Sequence, residues 1–228
     1  MRMACILVLL AGAAWAQSAA QLNAQGFEAY KEQQYPEALQ KFQEAIAHDE
    51  KYALAHYNLA ATLALMRSRG LTCQFDAYQA TILAALERSI ALDPRRRKRA
   101  LEDSDFESIH QTIGWQRVKG LTVEKHARDI LIAVHWYGPS PGAYGPLSEL
   151  RFGKDGAVQG SAVDLSGDEV KRVPMKGRWT MKGRVVTVTY GEGKDAKSIV
   201  YRMQDDGRLL QQGGGSELLT DDPDDCSA

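Results

Sequence analysis

The chain lacks the residue groupings from which most active sites are built. Its five histidines, His48, His56, His110, His126 and His135, show no close metal-ligand spacing, and no cysteine motif accompanies them. No nucleophile motif is present. The run Gly213, Gly214, Gly215 follows a strand-like segment but opens no helix, so it is no phosphate-binding loop. These absences argue for a non-enzymatic chain with no metal and no cofactor. Charge of one sign is also missing: 28 Lys and Arg against 29 Asp and Glu leave a formal charge of -1. That balance gives no electrostatic case for a nucleic-acid or membrane partner. After the first residues, no apolar run approaches the ~20 residues that a spanning helix needs, which excludes stable membrane insertion. Cysteine is scarce, with only Cys5, Cys73 and Cys226.

What is present begins with an export pattern. Arg2 supplies a positive start, residues 4–13 an apolar stretch, and Ala14, Trp15, Ala16 a small-x-small cleavage site. Residues 1–16 therefore read as a signal peptide cleaved between Ala16 and Gln17. Cys5 precedes the apolar stretch, too early to carry the lipid of a bacterial lipoprotein. Expected localisation is periplasmic or secreted, in a bacterium. Two cysteines then survive, and an oxidising compartment makes a Cys73–Cys226 disulfide the expected pairing, with free or intermolecular thiols as the alternative.

The remaining chain divides by hydrophobic period. Residues 19 to about 120 carry helical periodicity and residues from about 128 to 220 alternation, which sets domains at 17–120 and 121–220 and leaves 221–228 as an acidic tail. Gly26 and Ala60 lie about 34 residues apart, as do Ala19 and Ala53. Leu22, Gly26 and Ala29 mark one face of a first helix. Pro36 opens a second helix, whose stripe is Ala38, Phe42, Ala45 and Ile46. The series Gly26, Tyr30, Tyr35, Ala38, Phe42, Ala45 resembles a tetratricopeptide (TPR) repeat. A second repeat runs from Ala53, Tyr57, Ala60 and Leu63 to Ile90 and Pro94, with about ten extra residues around residues 67–73 that depart from the TPR pattern. Its second helix is expected to start near Phe75, with Tyr78, Ile82, Leu83 and Leu86 buried. After Pro94, Phe106, Ile109, Ile113, Trp115 and Val118 would cap the last repeat, as solenoids require.

Ile130, Ile132, Val134 and Trp136 alternate, as do Val186, Val188 and Tyr190, and then Ile199, Tyr201 and Met203. Turn residues at 154–156, 182–183, 191–193 and 205–207 punctuate them. The fold class expected is α+β in two domains: TPR hairpins with capping helices, then an antiparallel β meander forming a small barrel or sandwich. Gly177, Arg178, Trp179 and Thr180, followed by residues 185–190, are similar to a hairpin of lipocalin-like domains.

The TPR resemblance implies a concave groove lined by Asn23, Phe27, Tyr30 and Lys31 in the first repeat and Tyr57, Asn58, Ala61 and Leu65 in the second. Asn58 matches the asparagine that holds peptide backbone in such grooves. Asn23 and Phe27 stand where a carboxylate clamp would need lysine and asparagine, so that clamp is not expected. Phe27, Tyr30, Tyr57 and Asn58 would share one exposed patch, unless Phe27 and Tyr30 pack on the cap or the β domain instead. The basic run at residues 95–99 reads as a solvated helix face, or as a partner for the acidic tail at residues 221–225, which is otherwise expected to be disordered. Two functions follow: a scaffold or adaptor binding an unidentified protein partner through the groove, or a carrier enclosing a small apolar ligand in the β domain. A barrel interior filled by Trp136, Phe152, Trp179 and Tyr201 would favour the first, an open apolar pocket the second.

Overall fold

Ser18 starts the first helix, α1 (Ala19–Lys31), by a capping box: its hydroxyl accepts from the Gln21 N–H at 3.3 Å, and the Gln21 side chain accepts from the Ser18 N–H at 2.8 Å. The computed structural model describes residues 17–139, 146–164, 170–191, 193–213 and 218–222. Residues 1–16, which the sequence pattern reads as a signal peptide, and Cys226 lie outside the described residues. Four helices form two antiparallel hairpins, α1 with α2 (Tyr35–His48) and α3 (Ala53–Ser68) with α4 (Gln79–Leu92). Gly26 explains the close approach in the first hairpin. A Cβ there would lie 2.7 Å from the ring of Phe42, which is fully buried.

The insertion shortens α4 relative to expectation. Residues 71–76 turn rather than coil, with Asp76 at a φ of 51° and the Ala77 N–H bonded to Thr72 C=O at 2.9 Å. The helix therefore begins at Gln79 and not near Phe75. Tyr78, expected in the buried stripe, is 38% exposed, whereas Ala77, Ile82, Leu83 and Leu86 are buried.

Three short elements follow: α5 (Arg95–Leu101), a 3-10 helix (Ser104–Ile109) and α6 (Ile113–Val118). Phe106, Ile109, Trp115 and Val118 join the core of α3 and α4, as a cap should. Ile113 turns the other way and joins the sheet core.

Residues 123–133 correct the alternation reading. They form a helix, α7 (Val123–Ala133), kinked at His126, and the first strand begins only at Trp136. Ala127, Ile130, Leu131 and Val134 satisfy a helical stripe as well as Ile130, Ile132 and Val134 satisfy alternation. Burial decides for the helix: the stripe residues are buried, and Ile132 is only half-buried.

Eight strands then meander in sequence order: β1 (Trp136–Tyr137), β2 (Ser148–Phe152), β3 (Ala157–Asp164), β4 (Lys171–Lys182), β5 (Val185–Tyr190), β6 (Lys197–Met203), β7 (Leu209–Gln212) and β8 (Leu218–Leu219). Every neighbouring pair is antiparallel. Tyr137 and Thr220 exchange both backbone bonds at 2.8 Å, bringing the last edge to the first and nearly closing a barrel. Trp136, Phe152, Trp179 and Tyr201 are buried inside it, with Ile130 and Leu131 of α7 in the same core.

A carboxylate lies where the two halves meet. Asp221, expected to be mobile or to pair with the basic run, instead accepts from the Gln79 side chain at 2.8 Å and from the backbone N–H of Ile113. Gly207 lies against Ile113 beside it, at a φ of 96°, where a Cβ would be 2.6 Å from the isoleucine. Asp224 and Asp225 lie outside the described residues. Burial, the largest influence, pushes the Asp221 carboxyl above its usual range, although the Ile113 N–H and Gln79 bonds favour its charged form. The folded chain then holds this proton to higher pH than the unfolded chain does. Stability contributed here is full below about pH 4, the ordinary aspartate value, and is lost as pH rises through the raised folded value. Asp221→Asn removes that slope. In urea titrations from pH 4 upward, the variant should gain stability relative to wild type as pH rises; the opposite trend would show that the carboxylate is held in its charged form.

Candidate partner-binding groove

The concave side of the two hairpins holds a cleft of about 680 Å3. From α1 come Asn23, Phe27 and Tyr30; from α3 come Tyr57, Asn58 and Ala61. Six of the eight residues named from the repeat pattern thus share one cavity. Lys31 lies outside it, paired with Glu28 at 2.6 Å and above the Phe27 ring at 5.6 Å. Leu65 is half-buried against the core of α3 and α4.

The wall opposite the repeats is one the repeat pattern does not contain. Arg96 and Arg99 of α5, with Asp103 and Asp105 around the start of the 3-10 helix, complete the cleft. The Tyr57 hydroxyl donates to Asp103 at 2.7 Å and the Tyr30 hydroxyl to Asp105 at 2.6 Å. Each repeat is therefore tied to the cap by one tyrosine–carboxylate bond. Burial first, then the carboxylate bonds, push both phenol groups above their usual range. Burial likewise raises the Asp105 carboxyl. Nothing periodic in the sequence links Tyr30 to Asp105, so no sequence signal could have found this wall beyond its assignment as a cap.

These bonds divide the predicted patch. Tyr57 is not an exposed groove residue: it is 5% exposed and packs edge-on against Phe106 at 5.7 Å. Phe27 is exposed, at 46%, and stacks on Tyr30 with centroids 6.1 Å apart and planes at 8°. The Asn58 amide donates to the Asn23 carbonyl oxygen at 2.9 Å, which fixes its orientation. Asn23 is buried beneath it and Asn58 is the half-exposed member. The cleft surface thus presents an aromatic shelf, an oriented amide and the exposed Arg99.

The basic run is divided in the same way. Arg95 and Arg96 both pair with Asp93, at 2.9 and 3.3 Å, and Arg96 also lies 5.9 Å from the Tyr57 ring centre. Asp93, just before the run, supplies the carboxylate for both arginines.

A family model described as a TPR repeat matches residues 26–66, from the middle of α1 through most of α3. No curated protein and no solved structure matches the chain.

Cysteine placement adds one fact: Cys73, in the insertion, is disulfide-bonded and exposed. Inside the barrel, a second cavity of about 460 Å3 lies beyond Tyr201, bounded by Leu147, Leu150, Ala162, Met175 and Ile199. The interior is thus filled at the α7 end and open at the other.

Tyr57 and Phe27 should separate structure from recognition. Tyr57→Ala removes a buried ring and leaves Asp103 without its donor, and should cost about 3–5 kcal/mol in urea unfolding. Phe27→Ala, at an exposed site, should stay within about 0.5 kcal/mol. Equal losses in the two variants would place Phe27 in the core.

Proposed function

We propose that this chain is an exported bacterial adaptor that holds a protein partner in the concave groove of its repeats. The observation carrying this reading is the groove's surface: Phe27 stacked on Tyr30 beside an Asn58 amide oriented by Asn23. Such a surface offers an apolar rest for a side chain and a fixed hydrogen-bonding group for peptide backbone. The TPR similarity over residues 26–66 supports the same reading, because TPR repeats are protein-interaction modules. The groove's tyrosines and aspartates are committed to structural bonds, which favours binding over chemistry. The reading is tested by cross-linking in the periplasmic fraction. Wild type should trap a defined protein, and Phe27→Ala should reduce the yield about tenfold at unchanged melting temperature, as expected when a central hot spot is removed. Equal yields would remove the groove from the function.

A second reading is a carrier of a small apolar ligand, favoured by the apolar cavity beyond Tyr201. In either reading residues 17–120 and 121–220 act as two units, joined by the Asp221 contact. We also place the mature N-terminus at Gln17 and the partner of Cys73 at Cys226. Mass spectrometry of protein purified from the periplasm without reductant checks these three points together. The expected spectrum starts at Gln17, contains a linked Cys73–Cys226 peptide and, for the carrier, shows a bound apolar molecule under native conditions. An intact Met1 or two alkylatable thiols would overturn the corresponding assignment, and a ligand-free native mass would count against the carrier.

A further inference from the structure

The near-neutral charge of the chain hides a local separation. Strands β2 to β6 contain eight lysines and arginines and only two acids, Glu149 and Asp164. The register places most of these cations on one side. Leu150, Phe152, Val158, Trp179, Val188 and Tyr201 point into the barrel core. Alternation then turns Arg151, Arg172, Lys176, Arg178, Lys182 and Arg202 outward, and all six are exposed.

Several surface cations elsewhere pair with carboxylates: Lys31 with Glu28, Lys41 with Glu44, Arg117 with Glu87, and Arg184 with Asp205. On this face, among the described residues, none of the six does. Arg151 bonds the His135 ring at 3.1 Å, Arg172 bonds Ser161 and the Pro146 carbonyl, and Arg178 bonds the Asp155 carbonyl. Glu149 is the one acid at an outward position of these strands, and it is bonded by Ser161 at 2.8 Å and lies 3.5 Å from His135. Asp164 sits opposite Lys171 in the register.

We propose that this outer face docks on an anionic lipid surface. The row on β4 alone runs from Arg172 to Lys182, about 33 Å at strand rise. Basic clusters of this size concentrate at negative bilayer surfaces without inserting. Two further observations select lipid among polyanions. Val170, 51% exposed just before the same strand and two residues from Arg172, adds an apolar element that a bilayer interface accepts and a polyphosphate does not. No aromatic residue occupies an outward position on these strands, so the face offers no platform for stacked bases. The docking is peripheral; among the described residues no helix is long and apolar enough to cross a membrane.

Co-sedimentation of the full chain with vesicles tests this. Vesicles of phosphatidylcholine mixed with phosphatidylglycerol should retain the protein, pure phosphatidylcholine should not, and added salt should release it. Lys176→Glu with Arg178→Glu should weaken retention at least about tenfold, with circular dichroism unchanged. Val170→Ser should lower retention at a salt concentration where the wild type is half bound. Equal binding to both vesicle types, binding to neither, or a charge-reversal variant that binds as wild type would overturn the proposal. So would capture of a single-stranded oligonucleotide by protein that ignores the anionic vesicles.

Discussion

Two helical hairpins cannot cover the outer face of the second one, and the rest of this structure follows from how that face is covered. Phe106 fills the space over α3, fully buried, and brings the 3-10 helix down onto the repeats. That placement sets Asp103 and Asp105 within reach of Tyr57 and Tyr30. A groove that would otherwise be an open trough thereby gains a polar second wall. The same cap continues into α6, whose Ile113 lies in the barrel core and whose N–H holds Asp221. Burial demanded at the end of a short solenoid therefore shapes the binding surface and also joins the two halves.

The helical half was legible because TPR packing depends on residue size at fixed positions. Gly26 has to be small where Phe42 crosses it, and the sequence records this directly. The meander was legible from its turns, since the turn residues at 154–156 and 205–207 fall between the strands observed and Gly183 lies between β4 and β5. Residues 123–133 were not, because Ile130 and Val134 fit periods of two and of 3.6 alike, and only the barrel floor distinguishes them. Tyr78 misled for a related reason: periodicity ignores the turn at Asp76 that delays the helix.

Six groove residues could be named from the repeat because repeats carry position with them. Arg99 and Asp105 could not, since they reach the groove through the cap, far along the chain. Tyr57 shows a further limit. The pattern gives its place on the concave side but says nothing of Phe106 and Asp103, which cover it. Net charge fails in the same way, because a sum keeps no record of which face each charge occupies.

The single bridge between Tyr137 and Thr220 orders the assembly of the barrel in time. Each of the seven strand pairs joins neighbours in sequence, so every hairpin forms over a short loop with little chain entropy to overcome. Closure alone requires the first and last strands of the meander to meet. It is the non-local step that topology makes slow, and Thr220 precedes Asp221 directly. The chain end that seals the sheet thus also carries the carboxylate to Gln79 and Ile113, so barrel closure and this contact with the repeats share one short segment.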